Sequence, residues 1–153
     1  MAKYRKNVAA IIVGNDYPKR KRVFLAERSD VAGAWQFPQG GIDKGEKVKE
    51  ALFRELKEEI GTDMIKIIAK YPKWVSYDFP PKVAKRMRPY KGQKQRYFLV
   101  KLKKGAKIDI DTKHREFSAY RFVKPKRVLQ EVSSFKKPVY KKVVKYFMKK
   151  GYL

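Results

Sequence analysis

The chain has 153 residues, 43% hydrophobic and 14% aromatic, with 40 Lys plus Arg against 15 Asp plus Glu and a formal net charge of +25. Such a length and apolar content suit a single folded domain over residues 1–153 and argue against charge-driven disorder. There is no cysteine, which excludes disulfides, thiolate nucleophiles and Cys-ligated zinc, while the cation excess favours polyanionic partners such as nucleotides or nucleic acid.

Asn7–Val13 (NVAAIIV) and Val23–Glu27 (VFLAE) are short apolar runs on either side of the turn-forming Gly14-Asn15-Asp16-Tyr17-Pro18. They are expected to pair as two strands joined by a turn. Trp35-Gln36-Phe37-Pro38 is expected to be extended, because proline biases the residue before it away from helix. Val48, Leu52, Leu56 and Ile60, with Ala51 beside them, recur at helical spacing. They predict a helix over Val48–Ile60 with one apolar stripe, stopped by Gly61. Ile65–Tyr71 and Trp74–Tyr77 read as strands interrupted by Pro72, and Tyr97–Leu102 and Ala119–Val123 as two more. Between these, Asp78–Lys94 carries Pro80, Pro81, Pro89 and Gly92 and reads as a long loop or lid.

A short helix is expected near Lys126–Val132 and a final one over Pro138–Lys150, with Val139, Val143 and Phe147 on a wide apolar face and lysines opposite. No segment approaches the roughly 18–20 apolar residues of a membrane span, and the N-terminal apolar run is too short for a signal sequence. A cytoplasmic protein that does not enter a membrane is therefore expected. With strands outnumbering helices, the order predicts a mixed α/β (α+β) domain whose helices pack on a sheet.

Against this basic background, residues 40–61 (GGIDKGEKVKEALFRELKEEIG) concentrate Glu46, Glu50, Glu55, Glu58 and Glu59. On the predicted helix Glu55, Glu58 and Glu59 stand at i, i+3 and i+4 and share one face, offset from the apolar stripe. Carboxylates that close raise one another's pKa unless a cation compensates, and hard divalent ions supply that compensation together with affinity for phosphate. Arg54 can pair bidentately with Glu46 or Glu55. Spacing alone leaves two readings open: a solvated Glu-rich helix face, or a site for hard cations.

The complete pattern goes further. Gly40, five residues, Glu46, seven residues, then Arg54-Glu55-Leu56-Lys57-Glu58-Glu59-Ile60-Gly61 resembles the Nudix box, the loop-helix-loop signature of the Nudix hydrolases. Thr62 stands where that pattern usually has an aliphatic residue, a departure that touches packing rather than chemistry. The resemblance implies the Nudix fold, a mixed β-sheet sandwiched between helices, and a hydrolase that splits a nucleoside diphosphate linked to a further group. It also implies that Glu55, Glu58 and Glu59 hold divalent ions, Mg²⁺ or Mn²⁺, with the Gly40 carbonyl as a backbone ligand. Glu46 and Arg54 would brace the loop. Metal ions would lower the pKa of the attacking water and a carboxylate would take its proton; which glutamate serves as base stays open.

Flanking residues narrow the resemblance. Tyr4-Arg5-x-Asn7-Val8, Trp35-Gln36-Phe37-Pro38-Gln39-Gly40-Gly41-Ile42, Gly92-Gln93-Lys94-Gln95 and Ser134-Phe135-Lys136 are similar to the bacterial RNA 5′-pyrophosphohydrolase branch, a neighbour of the dinucleoside polyphosphate hydrolases. The similarity runs from about Lys3 to Tyr146. Lys6 stands where that branch has proline, and the basic Asp78–Lys91 segment is idiosyncratic. The resemblance implies Glu116 as a further metal-binding carboxylate. It implies Arg28, Phe135 and Lys136 as the residues that sandwich the 5′-terminal base and contact the chain beyond it, and Gln39, Lys94 and Gln95 as contacts to the triphosphate or the metal waters.

The residues by themselves admit plainer roles. Glu116 also fits a surface salt bridge, Phe135 a staple for the last helix, and His114, the only histidine, a solvent-exposed loop residue. The acid-free run containing Lys82, Lys85, Arg86, Arg88, Lys91, Lys94 and Arg96 either tracks an RNA backbone or stays a solvated loop. The expected substrate is the 5′-triphosphate end of RNA, cut to a 5′-monophosphate with release of pyrophosphate. A dinucleoside polyphosphate of the diadenosine tetraphosphate type is the alternative, and a non-catalytic nucleotide- or RNA-binding module a third. No obligate protein partner is implied.

Overall fold

The apolar run Val8–Val13 is buried at every position, which requires the strand that carries it to be covered on both faces. In the computed structural model, which describes residues 3–113, 115–132 and 135–153, that strand is β1 (Lys3–Val13). His114 and Ser134 lie outside the described residues. Alternate β1 side chains go to opposite faces. Val8, Ala10 and Ile12 pack with Ala51, Leu52, Leu56 and Ile60 on one side. Ala9, Ile11 and Val13 pack with Val139, Tyr140, Val143 and Phe147 on the other.

The remaining strands are β2 (Val23–Arg28), β3 (Trp35–Gln36), β4 (Gln39–Gly41), β5 (Ile65–Lys70), β6 (Val75–Asp78), β7 (Tyr90–Leu102) and β8 (Phe117–Val123). They form a mixed eight-stranded sheet among the described residues, ordered β3-β2-β1-β7-β5, with β4 on β1, β6 on β7 and β8 on β2. Its backbone is the parallel pairing of β1 with β7 from Lys3↔Tyr90 to Val13↔Lys101. The helices are α1 (Val48–Ile60), α2 (Pro81–Arg86), α3 (Pro125–Glu131) and α4 (Lys137–Lys149). With α1 on one face and α3 and α4 on the other, the sheet is sandwiched as expected.

The limits of α1 coincide with the expectation because both are set locally. Glu50 Oε1 accepts the Lys47 backbone N–H at 2.9 Å at its start, and Gly61 stops it in the left-handed conformation with φ 76°. Thr62 is buried and its hydroxyl accepts the Met64 N–H at 3.1 Å, a packing role.

The strands flanking Gly14–Pro18 pair antiparallel as expected, at Val13↔Val23, and β2 pairs more extensively with β8, from Val23↔Val123 to Arg28↔Phe117. One expectation needs correction. Asp78–Lys94 is not a long loop. Pro81 opens α2, where its missing N–H costs nothing, and Tyr90–Lys94 prolongs β7 between β1 and β6. That stretch is polar, so it lacks apolar alternation, and pairing on both sides makes it a strand.

Candidate functional site

The site grows out of the contact between α1 and β4. β4 runs antiparallel to β1, with Val8↔Gly40 in register, so the glycine pair passes directly over the carboxylate face of α1. A Cβ built on Gly40 would lie 1.9 Å from the Glu55 carboxyl carbon, so only glycine permits this approach. On Gly41 a Cβ would lie 2.2 Å from Arg5 Nη2, so a cation flanks the same turn.

Arg54 ties the loop to the helix. Its Nε and Nη2 donate to Glu46 Oε2 and Oε1 at 2.7 and 2.9 Å, a bidentate pair, and Nη2 also donates to the Gly41 carbonyl at 2.9 Å. Its Nη1 donates to Glu55 Oε1 at 2.9 Å and approaches Glu58 at 3.3 Å. Glu46 further accepts the Asp43 N–H at 3.0 Å. Hydrogen bonding from Arg54 holds the Glu46 carboxyl down at about 2. One guanidinium therefore fixes the loop through Glu46 and orients two of the three helix carboxylates.

Glu55 and Glu59 are held above the usual carboxylate range. Burial is the main cause for Glu55, opposed by Arg54. For Glu59 burial comes first, followed by the charges of Glu55 and Glu116, which places Glu116 beside the cluster although it belongs to the segment before β8. Glu59 is 6% exposed, and its Oε2 has no hydrogen-bond partner among the described residues. A buried oxygen of this kind, beside the raised Glu55 carboxyl and the charge of Glu116, suits a divalent cation. The donors expected from the sequence, Glu55, Glu58, Glu59, Glu116 and the Gly40 carbonyl, would offer oxygen only, which suits a hard divalent ion. Among the described residues no three carboxylate, histidine or cysteine side chains converge tightly enough to ligate an ion as they stand; Arg54 Nη1 sits between Glu55 and Glu58.

These carboxylates line a cleft of about 610 Å³. Its other walls bring together Arg28, Gln39, Phe135 and Lys136, all expected from the sequence. Arg28 pairs with Asp30 at 2.9 and 2.6 Å. Phe135 is 38% exposed with its ring centroid 5.4 Å from that of Tyr77, so it stands at the mouth of the cleft and not in the core. Lys136 is 7% exposed, and its Nζ donates to Gln36 Oε1 at 3.1 Å. Burial, then the neighbouring Arg28, lowers its pKa to about 8.

Two expected contacts to the triphosphate fall elsewhere. Gln95 is buried behind the cleft, its Nε2 donating to Gln39 Oε1 at 2.7 Å and to Asn7 Oδ1 at 2.8 Å, so it positions Gln39. Lys94 does not line the cleft at all. The two-residue alternation of β7 turns it away from the face of Gln93 and Gln95, and its Nζ lies 5.5 Å from the centre of the Trp74 ring. Of the basic run, Arg86 on α2 reaches the cleft.

Arg5, Gln36, Tyr77 and Gln93 also line the cleft and were assigned no role from sequence. Arg5 could have been found: it is a charged residue two positions before Asn7 in a strand, hence on the same face. Tyr77 and Gln93 come from strands whose pairing only the fold reveals; Gln93 Nε2 donates to the Tyr77 hydroxyl at 3.0 Å.

Comparison with known proteins agrees with this geometry. Residues 3–143 match the NUDIX domain family. The chain is 65% identical over 150 residues to a Nitratiruptor protein named RNA pyrophosphohydrolase, covering 98% of this chain and 97% of that one. It is 54% identical over 151 residues to a Helicobacter pylori protein of the same name, covering 99% and 97%. Among solved structures, the E. coli dihydroneopterin triphosphate pyrophosphohydrolase superposes with a TM-score of 0.72 at 21% identity, covering 92% of this chain and 97% of that one. At that identity the likeness speaks for the fold. The chain belongs to the NUDIX family.

Proposed function

We propose, with membership of the NUDIX family as the premise, that this chain is a divalent-metal-dependent RNA 5′-pyrophosphohydrolase that converts a 5′-triphosphate end to a 5′-monophosphate. One observation carries the reading: a single cleft is lined both by the carboxylate cluster and by the cationic and aromatic side chains of Arg28, Arg86, Phe135 and Lys136. The names of the relatives that match almost end to end support it.

The residues divide the work. Glu55, Glu58, Glu59, Glu116 and the Gly40 carbonyl would hold the metal, for which Mg²⁺ is the first choice and Mn²⁺ the second. A divalent ion bound there would supply charge for the phosphates and help activate the attacking water. A carboxylate of the cluster would accept a proton from that water. Arg54, through Glu46 and Glu55, keeps the loop and the helix in register. Arg5 adds positive charge beside Gly41, where phosphate oxygens would lie. Phe135 and the Arg28 guanidinium offer flat faces for a terminal base, and Lys136 offers a charge for the chain beyond it.

The cation excess of the whole chain would draw in a polyanion, and the carboxylate cluster, once loaded with metal, would bind its phosphates. No helix among the described residues is long and apolar enough to cross a membrane. Comparison of kcat/KM on 5′-triphosphorylated RNA and on diadenosine tetraphosphate, measured side by side with Mg²⁺, tests the substrate. A clear preference for RNA is expected; a preference for the dinucleotide would replace this reading with the alternative.

A further inference from the structure

The sequence after Glu131 contains no Asp or Glu. α4 accounts for most of that segment, and its two faces differ sharply. Val139, Tyr140, Val143, Val144 and Phe147 are buried against the sheet, whereas Lys137, Lys141, Lys142, Lys145 and Lys149 are exposed. Lys137, Lys141, Lys145 and Lys149 follow one another at i, i+4. They therefore form one row, rising about 6 Å per step and about 18 Å in all. No ion pair among the described residues engages any of them.

Like charges at i, i+4 destabilise a helix, and interspersed glutamates would relieve the repulsion while keeping the face soluble. α1 of this same chain mixes the two signs. A row of one sign is thus more than solubility needs. Its two ends indicate what it serves. Lys137 follows directly on Phe135 and Lys136, which line the cleft. At the far end, Lys21 Nζ donates to the Gly151 carbonyl at 3.0 Å and the Tyr17 hydroxyl to the Tyr152 carbonyl at 2.8 Å. These bonds join the end of α4 to the exposed basic turn Lys19-Arg20-Lys21-Arg22. The row of cations thus begins one residue from the side chains that line the cleft.

We propose that the lysine row of α4 is a track for the single-stranded RNA chain downstream of the 5′ end, leaving the cleft past Phe135 and Lys136. This rests on the cleft being an RNA 5′-end site. The rise between successive lysines is of the order of the distance between phosphates in an extended strand, so three or four nucleotides meet one cation each. Such a contact carries no sequence information and is strongly salt-dependent.

The test compares two substrates, a 5′-triphosphorylated dinucleotide and a 5′-triphosphorylated single strand of roughly twelve nucleotides, between about 50 and 200 mM salt. Two variants of equal charge are compared with the parent chain. One carries Lys141→Gln, Lys145→Gln and Lys149→Gln; the other carries Lys66→Gln, Lys103→Gln and Lys104→Gln, three exposed lysines around a separate cleft at the β5–β7 edge. Gln and Lys have similar helix propensity, so α4 stays helical, which circular dichroism checks.

The parent should favour the longer RNA at low salt. Loss of three phosphate contacts should lower the slope of log kcat/KM against log salt by about 2 on the long substrate, and leave the dinucleotide unaffected. The β5–β7 variant should behave as the parent. The track is overturned if the α4 variant keeps the parent's slope, if both variants lose it equally, or if the parent shows no length preference. A parent chain that cleaves neither substrate sinks the reading of the cleft, and the track with it.

Discussion

Replacing Gly40 by alanine separates the chemistry of the site from the stability of the fold. The new Cβ would lie 1.9 Å from the Glu55 carboxyl carbon and 2.0 and 2.4 Å from its oxygens. Ordinary contact begins near 3.4 Å, so the carboxylate must retreat by about 1.5 Å. It can do so, because it is the end of a flexible side chain, but only by abandoning its 2.9 Å bond to Arg54 and its close approach to Gly40. Gly40 is not among the glycines with positive φ, so the backbone accepts alanine without strain. Gly→Ala at a compatible position even favours folding slightly by restricting the unfolded chain.

Since a misplacement of about 1 Å costs on the order of 10²-fold in rate, kcat should fall roughly a hundredfold or more while Tm stays within a few degrees. The assay is steady-state hydrolysis of triphosphorylated RNA at saturating Mg²⁺, with thermal unfolding followed by circular dichroism. A kcat within about threefold of the parent, against the 10²-fold expected for misplacement, would show that Glu55 need not stand where the fold places it. A large drop in Tm would show that the glycine serves folding instead.

Three further outcomes follow from the same geometry. Glu58→Gln removes a charge from the exposed edge of the cluster and should lower kcat by orders of magnitude; an unchanged kcat would remove Glu58 from the metal set. Glu46→Gln breaks the bidentate pair with Arg54 and should raise the Mg²⁺ concentration for half-maximal activity by about 10–100-fold. Because the Glu46 carboxyl is depressed to about 2, its stabilising charge is present at pH 5 and above and is lost as the pH falls toward 2. The Tm gap between the parent and this variant should narrow over that range, and a gap independent of pH would refute the pairing.

Lys136 behaves in the opposite sense. Its folded pKa of about 8 lies below the usual 10.5, so the unfolded chain binds the extra proton between those values and stability rises with pH there. The Tm of the parent relative to Lys136→Met should therefore increase from pH 8 to pH 10, while KM for RNA rises as the ammonium is lost. A constant Tm difference would contradict the burial argument.

What the sequence made legible was local. The α1 stripe, its Gly61 stop and the spacing of Gly40, Glu46, Arg54, Glu55, Glu58 and Glu59 all lie within one short segment, and no distant residue can disturb that pattern. β3 and β4 are too short to announce themselves, although β4 sets Gly40 against Glu55. The polar start of β7 looked like loop because its partners, β1 and β6, are remote in sequence. The same cause misplaced Lys94: without knowing that Tyr90–Leu102 is one strand, there is no alternation to turn it away from Gln93 and Gln95. The burial of the Lys136 ammonium was likewise invisible, because it follows from packing between Arg28, Gln36 and the carboxylate cluster.

The central claim is that this cleft cuts a phosphoanhydride bond at the 5′ end of RNA. It is tested most directly by incubating 5′-triphosphorylated RNA with the chain and Mg²⁺ and identifying both products. Pyrophosphate and 5′-monophosphorylated RNA in equal amounts, absent with Glu58→Gln, is the predicted result. Intact triphosphate ends under conditions where a dinucleoside polyphosphate is hydrolysed would contradict it.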